Sequence, residues 1–287
     1  PYVNAASVKN EGWEFALGYN DQWGDWKFGA NVNFSKVKNE ILDLHGKDSW
    51  ITDWSINLEG HPINSYYGYV ADGLYRTQAE VDEANEKNSV GGGALKLGDI
   101  RYKDVSGPEG KPDGVVDTYD RTVIGNPFPD FTYGFGLNAA YKGFDLSAFF
   151  QGVAGNQIFN YDRRANVPYA NWHRKWLDRW HGEGTSNWWP RVVEDDGANQ
   201  NTSRVSNLYV EDGDYLRLKV LQLGYTFPSL LTKKALISNL RIYIQCDNLL
   251  TFSKYRGYDP EVGSRSGLDS GSYPQARVFT LGASVSF

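Results

Sequence analysis

The chain has 287 residues, a formal net charge of −6, 15% aromatic residues, 31 Gly and no Met. No stretch approaches the roughly 18 consecutive apolar residues of a membrane helix, which excludes a helical membrane protein. The charge is spread along the chain rather than blocked, so the basic footprint of a nucleic-acid-binding protein is missing and no nucleic-acid partner is expected.

Period-two alternation dominates, and it places successive side chains on opposite faces of a strand. The first such segment sets Trp13, Phe15, Leu17 and Tyr19 against Glu14, Ala16 and Gly18. The second sets Trp26, Phe28, Ala30, Val32 and Phe34 against Lys27, Gly29, Asn31, Asn33 and Ser35. A further strand is expected over Ile63 to Tyr75 on poorer alternation, and Gln78 to Asn88 has helix-like composition. Phe131, Tyr133, Phe135, Leu137, Ala139 and Tyr141 then share a face. The phase restarts after Lys142-Gly143 with Phe144, Leu146, Ala148 and Phe150, which reads as a hairpin with a tight turn.

Tyr169 to Trp180 again has helix-like composition, and Tyr215 to Phe227 reads as a strand. In it Leu216 and Leu218 are out of phase with Leu221, Leu223, Tyr225 and Phe227, so a bulge or membrane boundary is expected near Lys219-Val220. Leu240 to Leu249 alternates Leu240, Ile242, Ile244 and Cys246 with Arg241, Tyr243, Gln245 and Asp247, and the single cysteine reads there as a small hydrophobe. The last segment alternates Phe279, Leu281, Ala283, Val285 and Phe287 with Thr280, Gly282, Ser284 and Ser286. These make about eight strands, near the roughly 9–11 residues with which a tilted strand crosses a bilayer.

Short connections alternate with long ones, Glu40 to Pro62, Arg76 to Pro129, Gly155 to Gly213 and Thr251 to Pro274. That asymmetry, with aromatic strand ends and Gly, Ser, Asn and Thr opposite the apolar faces, points to an all-β antiparallel transmembrane barrel. A soluble all-β sandwich that binds or cleaves glycans is the alternative from pattern alone.

Two loop constellations are candidate sites. Asp104, Ser106, Asp113, Val115, Asp117 and Asp120 approach the order of a calcium loop, with Pro108 to Pro112 as an insert and Asp120 where a longer Glu is usual. The set reads either as a structural calcium site or as an Asp/Gly-rich turn cluster without metal. Trp172, Trp176 and Trp180 recur at every fourth position, with Tyr169, Trp188 and Trp189 nearby. They read either as a sugar-stacking, substrate-binding platform or as a packing face. Arg163, Arg164, Arg174, Lys175 and Arg179 share that loop, and Asn138, Gln151, Asn156, Gln245 and Asp247 are candidate pore-lining residues.

The four His have no metalloprotease spacing, no nucleophile elbow or phosphate loop is present, and Glu194, Asp195 and Asp196 read as solvated charge. No enzyme is expected.

The run Leu97-Gly98-Asp99-Ile100-Arg101-Tyr102-Lys103-Asp104, then Asp113-Gly114-Val115-Val116-Asp117 and Asp120-Arg121-Thr122-Val123-Ile124-Gly125-Asn126-Pro127, resembles the C-terminal signature of SusC/RagA-type TonB-linked outer-membrane transporters. So do Asp130 to Phe135, Tyr141 to Ser147, Tyr215 to Lys219, Leu223 to Pro228 and Tyr258-Asp259-Pro260-Glu261. The resemblance implies that residues 1–287 are the C-terminal part of a barrel of about 22 strands. It places the signal peptide, TonB box and plug upstream of Pro1, whose neighbours Tyr2 and Val3 begin no leader. It further implies bacterial outer-membrane location, outer-membrane lipid around the barrel, TonB-driven import of oligosaccharides or peptides, and a SusD-like surface lipoprotein lid. A passive porin-like channel would share the barrel without the plug.

Overall fold

The structure is a computed structural model that describes residues 6–87, 95–161, 172, 174–193, 201–262 and 266–287. Its strands are β1 (Ser7–Trp23), β2 (Trp26–Asp43), β3 (Ser49–Ile51), β4 (Ser55–Leu58), β5 (Ser65–Gly68), β6 (Ala71–Leu74), β7 (Ile100–Tyr102) and β8 (Thr122–Gly125). They continue as β9 (Phe131–Tyr141), β10 (Phe144–Ala154), β11 (Gln157–Asn160), β12 (Val210–Asp212), β13 (Tyr215–Thr226), β14 (Asn239–Ser253), β15 (Leu268–Asp269) and β16 (Val278–Ser286). A helix α1 (Gln78–Glu86) begins on a capping box, in which Thr77 and Glu80 satisfy each other's backbone N–H groups.

The long strands form one seven-stranded sheet in the order β1-β2-β9-β10-β13-β14-β16, every neighbour antiparallel. The expected strands all lie in it except one. Ile63 to Tyr75 is not a spanning strand: Asn64 turns with φ 59°, and β5 and β6 then pair in two different small sheets. Their partners, β4, β8 and β7, are loop segments, so this stretch belongs to the loops and the spanning set numbers seven. The expected bulge is present, because the register shifts between Leu218 and Val220 against β14 and between Phe149 and Phe150 against β10.

Register aligns the apolar residues into rows across the sheet. Tyr19, Ala30, Leu137, Ala148, Leu221, Cys246 and Phe279 form one row through all seven strands. Leu17, Val32, Phe135, Phe150, Leu218 and Leu250 form the next, with the Phe135 and Phe150 rings stacked at 4.5 Å. At the short-turn end Trp26 stacks on Tyr141 at 4.2 Å, beside Trp23, Phe144 and Tyr225. Toward the other end Trp13, Phe34 and Phe131 stack in sequence at 5.3 Å each.

Trp26 and Phe34 are eight positions apart on β2, or about 26 Å along a strand. At a strand tilt of about 40° that gives about 20 Å between aromatic rows, close to the ~25 Å apolar band of an outer-membrane barrel. The residues between the rows are apolar yet exposed, for example Leu17 at 61%, Ile244 at 53% and Leu281 at 75%. No helix among the described residues is long and apolar enough to cross a membrane.

The long connections all leave the sheet at the end opposite the short turns, and there they build a folded body. Its core gathers Tyr66, Tyr69, Leu74, Ile100, Tyr102, Phe159, Trp176, Trp189, Leu208 and Tyr209 from the β2–β9 and β10–β13 connections, with Leu268 of the β14–β16 connection packed against it. The Tyr66 hydroxyl donates to the carbonyls of Gln157 and Gly267, at 2.8 and 3.1 Å, and so ties all three together. Burial pushes the Tyr66 pKa well up, which keeps the phenol a proton donor.

Candidate functional site

The face of the sheet opposite the apolar rows carries polar groups linked across strands. Arg241 on β14 reaches over Gly224 of β13 to bind Asp145 on β10, donating also to Gln222 at 2.8 Å. A side chain at Gly224 would place its Cβ 2.5 Å from Arg241 Nη2 and 2.6 Å from Asp145 Oδ1, so the missing Cβ is the passage for this ion pair. Gln222 donates to Gln245 at 2.8 Å, and Gln245 to Asp247 at 2.9 Å. Asn138 and Gln151 occupy the same face, whereas Asn156 sits in the turn after β10, its carbonyl accepting from the Gly213 N–H.

Where β13 rises to the loop body, this face bears Arg217 and Lys219. Two positions apart on the strand, Arg217 and Lys219 share this side, and both reach Glu261. Arg217 is buried and donates to Asp259 at 2.6 Å, to Glu261 at 2.7 Å and to Thr251 at 2.9 Å. Lys219 holds both Glu261 oxygens, at 2.7 and 2.9 Å. The Asp259 carboxylate also accepts from the backbone N–H groups of Glu261 and Gln275, each at 2.8 Å. Burial alone would raise the Asp259 pKa, but the Gln275 N–H, Arg217 and the Glu261 N–H outweigh it and hold the group below its ordinary value. The connection from β14 to β16 is thereby clamped to the wall.

The aromatic candidates meet in the body's core rather than along a long helix. Among the described residues only a 3-10 turn, Arg174–Asp178, lies in the expected helical stretch, and Tyr169 falls outside the described residues. Trp176 and Trp189 are buried at 4% and 7% exposure, with ring centroids 5.5 Å apart. Trp172 meets Trp176 edge-on at 5.2 Å. Trp180 lies on the backbone of Gly98, where a Cβ would come within 2.2 Å of its ring. Asp99 beside it accepts from Arg191 at 2.6 Å and Asn201 at 2.9 Å. Trp188 is 44% exposed. Trp176 and Trp189 thus pack into the body's core, Trp172 and Trp180 are half-buried against it, and Trp172 and Trp176 also line a cavity with Arg174 and Arg179.

The acidic loop is organised around Asp120, which is fully buried. One carboxylate oxygen accepts from the Val105 and Ser106 N–H groups, at 2.7 and 3.1 Å, and the other from Asp117 N–H at 2.7 Å. Asp104 accepts from Gly114, Asp113 from Val115, and Asp117 from Tyr119. One oxygen of Asp104, Asp113 and Asp117 and both of Asp120 face backbone donors, while Asp104 Oδ1 is buried without a hydrogen-bond partner, and among the described residues no group of three or more His, Cys, Asp or Glu is placed to bind a metal. The geometry fits turn capping.

Sequence reasoning did not single out Arg217, Lys219, Asp259 and Glu261 as a cluster. The available signal was a basic pair at the expected bulge and an acidic pair in the last long connection.

No family model matches the sequence. The chain is similar to TonB-dependent receptor P3 of Formosa agariphila, 32% identical over 308 residues that cover 99% of this chain and 29% of the relative. It is also similar to TonB-dependent receptor SusC of Bacteroides thetaiotaomicron, 27% identical over 298 residues, covering 99% of this chain and 27% of that protein. Among solved structures it resembles the RagAB peptide transporter with a TM-score of 0.76 and 26% identity, over 99% of this chain and 29% of that one. The chain thus spans less than a third of the relatives it matches.

Proposed function

We propose that this chain, similar over 99% of its length to TonB-dependent receptors of SusC/RagA type, supplies a section of the barrel wall and outer loops of an active importer in the bacterial outer membrane. The observation that carries this reading is the two-sided sheet. Its exposed apolar face, bounded by aromatic rows, suits hydrocarbon, and its other face joins polar groups across strands as a water-filled lumen requires. The long connections gather at one end, as the outer loops of such barrels do.

The cargo on this reading is an oligosaccharide or a peptide, driven inward through TonB and captured with a SusD-like surface lipoprotein. The role is transport rather than catalysis. The test is to express the full-length protein in a Gram-negative host, fractionate its membranes, and follow uptake with and without TonB. Outer-membrane location, need for detergent, co-purification of a surface lipoprotein and TonB-dependent uptake are expected. A monodisperse protein in detergent-free buffer, or uptake indifferent to TonB, would overturn the proposal.

A further inference from the structure

The loop body holds a cavity of about 540 Å3 whose walls include Asp53, Trp54, Arg121, Tyr161, Ser203 and Ser270. Its volume is within the range of small-ligand sites. Arg121 is half-buried, and its guanidinium is held 4.6 Å over the Tyr67 ring, with only a long 3.5 Å contact to the Tyr67 carbonyl.

Among the described residues no carboxylate forms an ion pair with it. This sets it apart from Arg101, Arg191, Arg217 and Arg241, each of which is paired with an acidic side chain. A guanidinium fixed on an aromatic ring inside a concavity keeps its fork of N–H donors oriented and unspent.

We infer that this cavity is a ligand subsite in which Arg121 receives a carboxylate. Ser270 supplies a hydroxyl to the same cavity, and Trp54, itself packed on the body's core, supplies an apolar wall. Asp53 is exposed, lines the same cavity and forms no ion pair with Arg121. It disfavours a second anionic group and suits an ammonium or sugar hydroxyls. The carboxylate has two chemical sources, an acidic sugar or the end of a short peptide. The inference rests on the import reading for the purpose of binding, but not for binding itself.

The experiment is calorimetric titration of the full-length protein in detergent with digalacturonate and with a short peptide, each beside its uncharged counterpart, the methyl ester or the C-terminal amide. At least one carboxylate probe is expected to bind about tenfold or more tightly than its counterpart, as expected for hydrogen bonds to a charged group, and the stronger of the two identifies the source. Arg121→Gln is expected to abolish that preference. Ser270→Trp, on the exposed rim, is expected to block binding while leaving the Arg121–Tyr67 contact in place, which separates occlusion from misfolding.

Failure of both carboxylate probes to bind, an equal affinity for charged and uncharged forms, or an unaltered preference in Arg121→Gln overturns the site. Intact binding without TonB-dependent uptake instead overturns the import reading and leaves the subsite standing.

Discussion

Replacing Arg217 by Met keeps most of the side chain's volume and removes its charge. Asp259 then remains buried, with its backbone donors but without its cation. Removing one partner of a buried ion pair costs about 3–5 kcal/mol. The lower end applies here, because Glu261 is 28% exposed and keeps Lys219. About 3 kcal/mol corresponds to roughly a 150-fold shift in an opening equilibrium.

The cost falls on the connection between β14 and β16 rather than on the sheet, whose ladder hydrogen bonds do not involve Arg217's side chain. Amide hydrogen exchange is therefore the assay. Exchange at Glu261 and Gln275, whose N–H groups bond to Asp259, is expected to accelerate by about two orders of magnitude in Arg217→Met. Asp259→Asn combined with Arg217→Met is expected to cost much less than the two single changes added together. Unchanged protection at those amides, or strict additivity, would refute the clamp.

Acidification should act on the same clamp in a defined direction. The folded-state pKa of Asp259 lies below its unfolded value, so its contribution is fully present above the ordinary aspartate pKa of about 3.9 and is lost as pH falls through the lower folded value. Exchange at Gln275, corrected for intrinsic rates, should stay protected at pH 5–8 and rise only below about pH 4. Gly224→Val should break the Arg241–Asp145 pair and lower the unfolding temperature in detergent, whereas Gly18→Val, where nothing lies within 4 Å of a Cβ, should leave it unchanged. Asp120→Asn should loosen the 104–120 loop by about 1–3 kcal/mol, seen as faster exchange at Val105 and Asp117. A matching gain of protection in the unaltered protein on adding calcium would instead restore the cation-binding reading of that loop.

The sheet was legible because each strand carries its own evidence: alternation is local, and even the bulge announced itself as a phase break between Leu218 and Leu221. Short turns were legible for the same reason, since Lys142-Gly143 adopts the positive φ that a two-residue hairpin needs. The loop body was not. Its small strands pair with segments far along the chain, and Tyr69 bridges to Ser206, so no local window contains the pattern. The Trp172, Trp176 and Trp180 spacing fitted a helix, yet Trp176 packs on Trp189 and Trp180 on Gly98, contacts that spacing alone does not encode.

The two regions also differ in what stabilises them. The sheet has almost no buried apolar core of its own in this chain, and its apolar side chains gain by leaving water only when hydrocarbon covers them. The loop body, facing water, buries an aromatic cluster and secures it with buried carboxylates such as Asp99, Asp120 and Asp269, each bonded to its surroundings. β2 joins the two environments: its 18 residues exceed the roughly 9–11 that span a bilayer, and its far end buries Asn39 and Ile41 at the base of the body. Asn39 accepts there from Ile63 N–H at 2.8 Å. The strand thus runs from hydrocarbon into the loop body without a flexible joint. Any movement of the loops against the sheet must therefore occur at attachments that depend on side chains, and among the ion pairs of the described residues the Arg217–Asp259 clamp is deeply buried on both sides.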